Sequence, residues 1–188
     1  MARRVTDLFA PMWIVITLPL VVGAVSSGWT GFGWGLLSAA LCGGIPAAAI
    51  FVGVRKGWFG DRHIGDRRQR PKLVVSVLVL VVLALLLLVR LGAPPVSVAC
   101  VAIMLATLGV VVPVTLVWKI SFHTAVAAGA VVMLAAVLPA LPVYAVGAAV
   151  VALIGWARTQ LRDHTPAQAL AGAAAGAVAT WATLAILL

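Results

Sequence analysis

Charged residues are scarce in this sequence, and their scarcity excludes a soluble globular domain. Only 9% of the 188 residues are charged, whereas 64% are hydrophobic and the mean hydropathy is +1.22. This leaves too little polar material to cover the surface of a water-soluble globule. Because one crossing of the hydrocarbon core takes about 20 residues, a chain of this length holds several crossings and little else. The sequence therefore predicts a single transmembrane helical domain over residues 1–188.

Acidic residues and cysteines are scarcer still. The four acids are Asp7, Asp61, Asp66 and Asp163. A metal-dependent prenyl transferase usually gathers several carboxylates around Mg²⁺, so four in the whole chain argue against that class. Cys42 and Cys100 lie in apolar stretches without a CxxC pair or a histidine at ligand spacing. We expect both to pack as small apolar side chains, not to bind a metal.

Long apolar runs are what the sequence does contain. Breakers such as Ser26-Ser27-Gly28, Pro94-Pro95, Pro139 and Pro142 separate the runs. The runs cover about 8–26, 33–54, 73–91, 95–118, 122–140, 142–157 and 168–188. They predict an all-α integral membrane protein, a bundle of about six to seven transmembrane helices.

Ionisable residues are distributed unequally between the ends of these runs. If successive spans alternate in direction, 12 of the 13 lysines and arginines, all four acids and all three histidines emerge on one face, and Arg90 alone lies opposite. A few flanking charges suffice to orient a bundle, so we expect a polar site at the crowded membrane face. By the positive-inside rule this face is cytoplasmic, at the inner (plasma) membrane. The net charge of +9 then suits orientation and anionic headgroups, not nucleic acid.

Three polar segments on this face carry the candidate site. The first is a dense basic loop, residues 61–72, which leads into a span. In the second, residues 118–124, a histidine begins a helix and a serine precedes it by two. The third covers residues 158–168, where His164 comes just before Pro166 opens the last run. Proline in the first turn marks a helix start, which directs His164 and the exposed helix N–H groups toward an anion.

These segments resemble the signature of the type 2 phosphatidic acid phosphatase superfamily, which includes membrane lipid phosphatases and vanadium haloperoxidases. The family has Lys-x6-Arg-Pro, then Pro-Ser-Gly-His, then Ser-Arg-x5-His-x3-Asp. The matching residues here are Arg70, Pro71, Ser121, His123, Arg158 and His164. His63 stands at the lysine position, Ile120 and Phe122 replace the proline and glycine, Ala157 replaces the last serine, and Gln168 replaces the aspartate. The resemblance covers about residues 63–172.

The resemblance implies a catalytic role for three residues. His164 would attack the phosphorus to form a phosphohistidine, and His123 would protonate the departing oxygen and later help to activate water. Arg158 would hold the equatorial oxygens through its forked donors. No metal or other cofactor is needed in this scheme.

The remaining implied roles are binding and orientation. The residues assigned to the substrate phosphate are Arg70, His63, Ser121, Arg67 and Lys119. Gln168 would orient the nucleophilic imidazole, because an amide oxygen accepts its hydrogen bond but brings no negative charge. Asp163 or Asp66 is the candidate for the missing charge.

The predicted function is therefore hydrolysis of a lipid or polyprenyl phosphate or diphosphate at the membrane surface, with the bilayer and the lipid as partners. The alternative is a protein that binds phosphorylated lipids and has lost turnover. A metal-dependent prenyl transferase, prompted by Asp61 and Asp66, remains a third hypothesis. A small channel or transporter is less favoured, because no ionisable residue falls at mid-membrane. The sequence leaves the oligomeric state open.

Overall fold

The computed structural model describes residues 1–56 and 70–188, with side chains for all of these except residues 50, 54 and 70–74. The described residues form helices and no strand, which confirms the all-α prediction. The helices are α1 Ala2–Leu8, α2 Pro11–Ala39, α3 Ile45–Arg55, α4 Arg70–Arg90, α5 Pro95–Val117, α6 Phe122–Val137, α7 Ala140–Gln160 and α8 Pro166–Leu187. A π-helical turn, Ala40–Gly44, joins α2 to α3.

Several helix boundaries follow the predicted breakers, whereas Pro142 lies inside α7 and α2 begins at Pro11, within the predicted run 8–26. Pro11, Pro95 and Pro166 occupy the first helical turn of α2, α5 and α8, where the missing N–H would have no partner in any case. Gly92 has a φ of 72° in the short turn between α4 and α5, a conformation that glycine adopts without steric penalty. The short helix α1 precedes the first apolar run and was not predicted.

α2 reverses direction in its middle. Ser27 and Gly28 leave the helical conformation, and Gly28 has a φ of 58°. A Cβ on Gly23 would overlap the backbone of Gly31, and a Cβ on Gly35 would overlap the backbone of Pro19. Gly23 in the first arm (residues 11–26) meets Gly31 in the second arm (residues 29–39), and the earlier Pro19 meets the later Gly35. The two arms are therefore antiparallel. The close approach depends on glycine, as it does in tightly packed transmembrane helices.

Four helical stretches are long and apolar enough to cross a membrane: Pro11–Gly53, Pro95–Val117, Ala140–Gln160 and Pro166–Leu187. Two shorter apolar helices, Val75–Arg90 and Phe122–Val137, accompany them. The longest stretch contains the reversal within α2, so it does not form one continuous crossing. These helices are compatible with a lipid bilayer environment.

α6 and α8 pack closely against each other. A Cβ on Gly172 would overlap the Ser121 carbonyl, and a Cβ on Gly176 would overlap the Ala125 carbonyl. The small-xxx-small pair in the last apolar run therefore serves close helix packing. A buried apolar cluster that includes Leu18, Ile103 and Met133 connects this pair to the first arm of α2 and to α5.

Helix directions define the two ends of the bundle. α6 and α8 begin side by side, because the Ser121 N–H donates to the Gln168 carbonyl at 3.2 Å, and α7 ends next to the start of α8. α4 begins at this end too, since Val77 near its start lines the same cavity as Phe122. We call this end the His164 end. The opposite end, where α4 turns into α5, is called the Arg90 end.

Candidate functional site

The start of α6 is held against the start of α8 by buried hydrogen bonds. Ser121 is the N-cap of α6, and its Oγ accepts from the Thr124 N–H at 3.4 Å. The Thr124 hydroxyl donates to the Ala169 carbonyl at 2.7 Å. Ser121 and Thr124 are 0% and 1% exposed, so these bonds lie away from water. The second and third polar segments are therefore fixed beside each other.

The turn after α7 brings a carboxylate to Arg158. The N–H groups of Asp163 and His164 donate to the Arg158 carbonyl at 3.1 and 3.4 Å, and Arg162 adopts a φ of 56°. This reversal places the Asp163 carboxylate 3.1 Å from the Arg158 guanidinium. The Arg158 side chain is 15% exposed and that of Asp163 is 42% exposed. The negative charge next to His164 in sequence is thus directed to the arginine.

Gln168 belongs to a capping box at the start of α8. Its N–H donates to the Thr165 hydroxyl at 3.3 Å, and its side-chain oxygen accepts from the Thr165 N–H at 3.0 Å. A Thr-x-x-Gln pattern supplies these two reciprocal bonds because the longer side chain reaches back to the N-cap. The residue that stands where the resembled family has an aspartate therefore stabilises the helix that carries the turn.

His164 is half-buried between cationic groups. Burial lowers the pKa of its imidazole, and the positive charges of Arg158 and Lys119 lower it further. Hydrogen bonds with the Lys119 backbone and the Gln168 side chain act in the opposite direction. Because the net effect is a pKa below the usual 6.5, His164 is neutral near pH 7. A neutral imidazole retains the lone pair that a nucleophile needs.

Two buried nitrogen atoms of this cluster have no hydrogen-bond partner among the described residues: Arg158 Nε and His164 Nδ1. Three buried hydroxyl groups share this condition, those of Thr6, Ser97 and Thr180. A hydroxyl is neutral, whereas an unpaired donor on a guanidinium is a charged group with a larger desolvation penalty. The unpaired Arg158 Nε–H, in the same cluster as His164, is therefore the stronger indication of an anion-binding site.

The other predicted site residues are distributed as follows. His123 lies half-buried in the first turn of α6, and Lys119 is exposed just before it. The backbone of Arg70 begins α4 at the His164 end. His63 and Arg67, like Asp61 and Asp66, lie outside the described residues. Within residues 1–56 and 70–188, no group of three or more His, Cys, Asp or Glu side chains is placed to hold a metal ion.

Sequence reasoning missed Thr124 and Thr165. Both occupy helix starts, and both patterns were present in the sequence: Ser121-x-x-Thr124 and Thr165-x-x-Gln168. A hydroxyl residue three positions before a polar residue is a capping signal. Neither residue is assigned to the phosphate, but together they fix the two helix starts on which His123 and His164 depend.

No protein family matched the chain in the comparisons with known proteins, and neither a curated protein nor a solved structure matched it.

Proposed function

We propose that this chain is an integral membrane protein with six to seven crossings that hydrolyses a lipid or polyprenyl phosphate at its His164 end. The observation that carries the proposal is the cluster of His164, Arg158 and Asp163, in which two buried nitrogens have no partner among the described residues. A phosphoryl oxygen can accept from the charged Arg158 Nε–H, and the phosphorus can accept the lone pair of His164 Nδ1. The motif residues of the resembled phosphatase superfamily support the same conclusion.

The number of crossings is supported by the reversal in α2. If its two arms cross separately, the second continuing into α3, they add two crossings to those of α4, α5, α6, α7 and α8. The shortest of these, α6, has 16 residues and a length of about 24 Å. That is somewhat less than the hydrocarbon thickness of about 30 Å, which thinning of the bilayer can accommodate.

The proposed chemistry begins with His164. The Lys119 backbone raises the pKa of the imidazole, so it acts as an acceptor for one ring N–H, and the other nitrogen keeps its lone pair. That lone pair attacks phosphorus, so a P–N bond forms while the P–O bond to the lipid breaks. His123 gives its proton to the departing oxygen. Water then attacks phosphorus and gives a proton to His123. The P–N bond breaks, so phosphate is released and His164 is restored.

The Lys119 backbone would take over part of the task that the resembled family assigns to an aspartate. A carbonyl orients the ring and fixes its tautomer, but it brings no full negative charge to stabilise the cation. The Asp163 carboxylate faces Arg158, at 3.1 Å. The substrate phosphate would therefore displace Asp163 from Arg158 as it binds.

The direct test is phosphate release from purified full-length protein, with prenyl mono- and diphosphates, phosphatidate and phosphatidylglycerol phosphate, each with and without chelator. We expect release that survives chelator and is lost in His164→Asn. Asp163→Asn is the matched variant in the same turn, and it should keep activity. Because Asp163→Asn removes the carboxylate that competes with the substrate phosphate for Arg158, it should bind the substrate more tightly, up to about fivefold for a pair worth about 1 kcal/mol. Unchanged release in His164→Asn would refute the nucleophile.

A second function is favoured by the pairing of Asp163 with Arg158. The Asp163 carboxylate pairs with Arg158, and no other carboxylate among the described residues is placed beside His164 to stabilise a cationic intermediate. A protein that binds phosphorylated lipids without turnover would need only the basic residues. It would show saturable lipid-phosphate binding that Arg158→Ala abolishes, and no phosphate release from any of the substrates above.

The proposed face is the cytoplasmic one, on the positive-inside rule. Arg162 and Arg90 are both exposed and lie at opposite ends of the bundle, so they make a matched pair. We expect Arg162→Cys to react with a membrane-impermeant thiol reagent only in inverted vesicles, and Arg90→Cys only in intact cells. The reverse pattern would place the site outside.

A further inference from the structure

An apolar groove runs along the outside of the bundle beside α6 and α7. It has a volume of about 840 Å³, within the range of sites that hold small ligands. Its walls include Ala127 and Leu134 from α6, Val143 and Ile154 from α7, and Trp13 from the first arm of α2. The turn between α1 and α2 closes part of one side through Leu8 and Phe9.

The groove points toward the His164 end. Ala127 lies four residues after His123 in α6, and Ile154 lies four residues before Arg158 in α7. Residues four apart share one face of a helix. The two helix faces that form the groove therefore lead, one turn further, to the two residues proposed for proton transfer and phosphate binding.

The length of the groove corresponds to one leaflet of a bilayer. Its α7 wall extends from Pro142 to Ile154, thirteen residues or about 18 Å of helix. This is slightly more than half of the hydrocarbon core, which is about 30 Å thick. A single tail that hangs from a headgroup at the His164 end would reach about this depth.

The lining selects hydrocarbon over a polar ligand. Thr17 is the one hydroxyl residue of the wall, and its hydroxyl already donates to the Trp13 carbonyl at 2.8 Å. The nearest cationic residue on the same α7 face, Arg158, is at the His164 end. An occupant that suits both parts has an anionic head and one apolar tail.

We infer that this groove holds the tail of a phosphate-bearing lipid whose head lies against Arg158 and His164. The inference rests on the proposed function for the position of the head. It adds the path of the tail and a limit on its depth. A tail longer than the α7 wall extends beyond Pro142 into the bilayer and gains no further contact with the groove.

Photocrosslinking of the full-length protein in nanodiscs tests the path of the tail. Two alkyl phosphates are used, one with a diazirine near the phosphate and one with a diazirine near the tail end. The first should label residues around Ala127 and Ile154, and the second should label residues around Leu134 and Val143. Excess unlabelled alkyl phosphate should compete with both, and the matching alcohol should not. Labelling spread equally over the groove and the outer face of α8, or labelling without competition, would overturn the inference.

A matched pair of variants sharpens the test. Val146 lies in the groove and is 66% exposed, whereas Val178 lies outside it on α8 and is 63% exposed. Val146→Phe narrows the groove deep in its wall, so it should lower labelling by the tail-end probe about tenfold and leave labelling by the head probe nearly unchanged. Val178→Phe should change neither. Equal effects of the two variants would contradict the groove.

Phosphate release from a short-tailed substrate, measured on the same preparations, separates this inference from the proposed function. Depth-ordered labelling without any phosphate release would support the groove and refute hydrolysis. Phosphate release together with unordered labelling would support hydrolysis and refute the groove.

Discussion

The helices that begin at the two ends of the bundle have different N-cap residues. At the His164 end, α6 and α8 begin at Ser121 and Thr165, whose hydroxyl oxygens accept helix N–H groups. At the Arg90 end, α5 and α7 begin after Pro94 and Pro139, without a side-chain cap. Proline at a helix start needs no partner for its nitrogen and leaves the neighbouring N–H groups to other acceptors.

This difference between proline and hydroxyl N-caps indicates which helix starts are held in a fixed position. A proline starts a helix but offers no polar group to a ligand or to a neighbouring helix. A capping hydroxyl fixes the first turn and, in Thr124, also connects α6 to α8. The starts of α6 and α8 are therefore more firmly ordered than those of α5 and α7.

The largest expected effect on phosphate release comes from replacing Arg158, with Arg90 at the opposite end as the comparison. Arg158→Ala removes the forked donors beside His164 and should lower kcat/KM for phosphate release by about 10²- to 10³-fold. Arg158→Lys keeps the charge without the fork and should recover only part of this loss. Arg90→Ala, at the opposite end, should leave kcat/KM within about twofold. Equal losses in Arg158→Ala and Arg90→Ala would remove the functional distinction between the ends.

The next effect concerns the bond between α6 and α8. Thr124→Val removes the hydroxyl that donates to Ala169 and should lower the free energy of unfolding by about 1–2 kcal/mol. Thr115→Val is the control, because the Thr115 hydroxyl donates to Val111 within its own helix; its effect should stay below about 0.5 kcal/mol. Thermal unfolding in detergent measures both. A smaller effect for Thr124→Val than for Thr115→Val would show that the interhelical bond does not stabilise the pair.

The capping box provides a third comparison between the ends. Thr165→Ala should destabilise the protein by about 1 kcal/mol, because the Gln168 N–H loses its acceptor. Pro139→Ala, at the N-cap of α7, should stay within about 0.5 kcal/mol, because no side-chain cap is lost there. Unfolding curves that rank the two variants in the opposite order would contradict a more firmly ordered His164 end.

The smallest expected effect is a shift in the pH dependence of phosphate release. The proposed nucleophile must be neutral, and its pKa is lowered by burial, Arg158 and Lys119. On the acid side of the pH profile, phosphate release should therefore decline at a pH below 6.5. Lys119→Ala removes one of the positive charges, so the decline should move upward toward 6.5. Arg162→Ala, an exposed cation of the same turn that does not act on His164, should leave the midpoint unchanged. An upward shift in Arg162→Ala alone would assign the titration to another group.

Much of the fold could be predicted from hydrophobic runs and breakers. Ser27 and Gly28 reverse the chain where the sequence predicted a break, and prolines begin α2, α5 and α8. α1 was missed because its seven residues include two arginines and an aspartate, which conceal any apolar run. The number of crossings stays a prediction, since length and composition single out four stretches.

The arrangement of the candidate site was harder to predict. The sequence offered Asp163 or Asp66 as the source of the charge that Gln168 lacks. Asp66 lies outside the described residues, and in the turn where Arg162 has a φ of 56° the Asp163 carboxylate lies against Arg158. A backbone conformation of this kind is not encoded in the spacing of the motif. Gln168 was predicted as an orienting residue from its position in the motif, and its side chain does form a hydrogen bond with His164. The same side chain also bonds to Thr165 in a local capping box, which the motif did not predict.

Trapping of the covalent intermediate tests the central claim most directly. Purified protein is mixed with a lipid phosphate, quenched in alkali during turnover and digested, and the peptides are analysed by mass spectrometry. The proposal predicts an acid-labile phosphate on His164 that appears within one turnover and is absent from His164→Asn. Phosphate release that proceeds with no phosphate on His164, or with phosphate on a different residue, would contradict it.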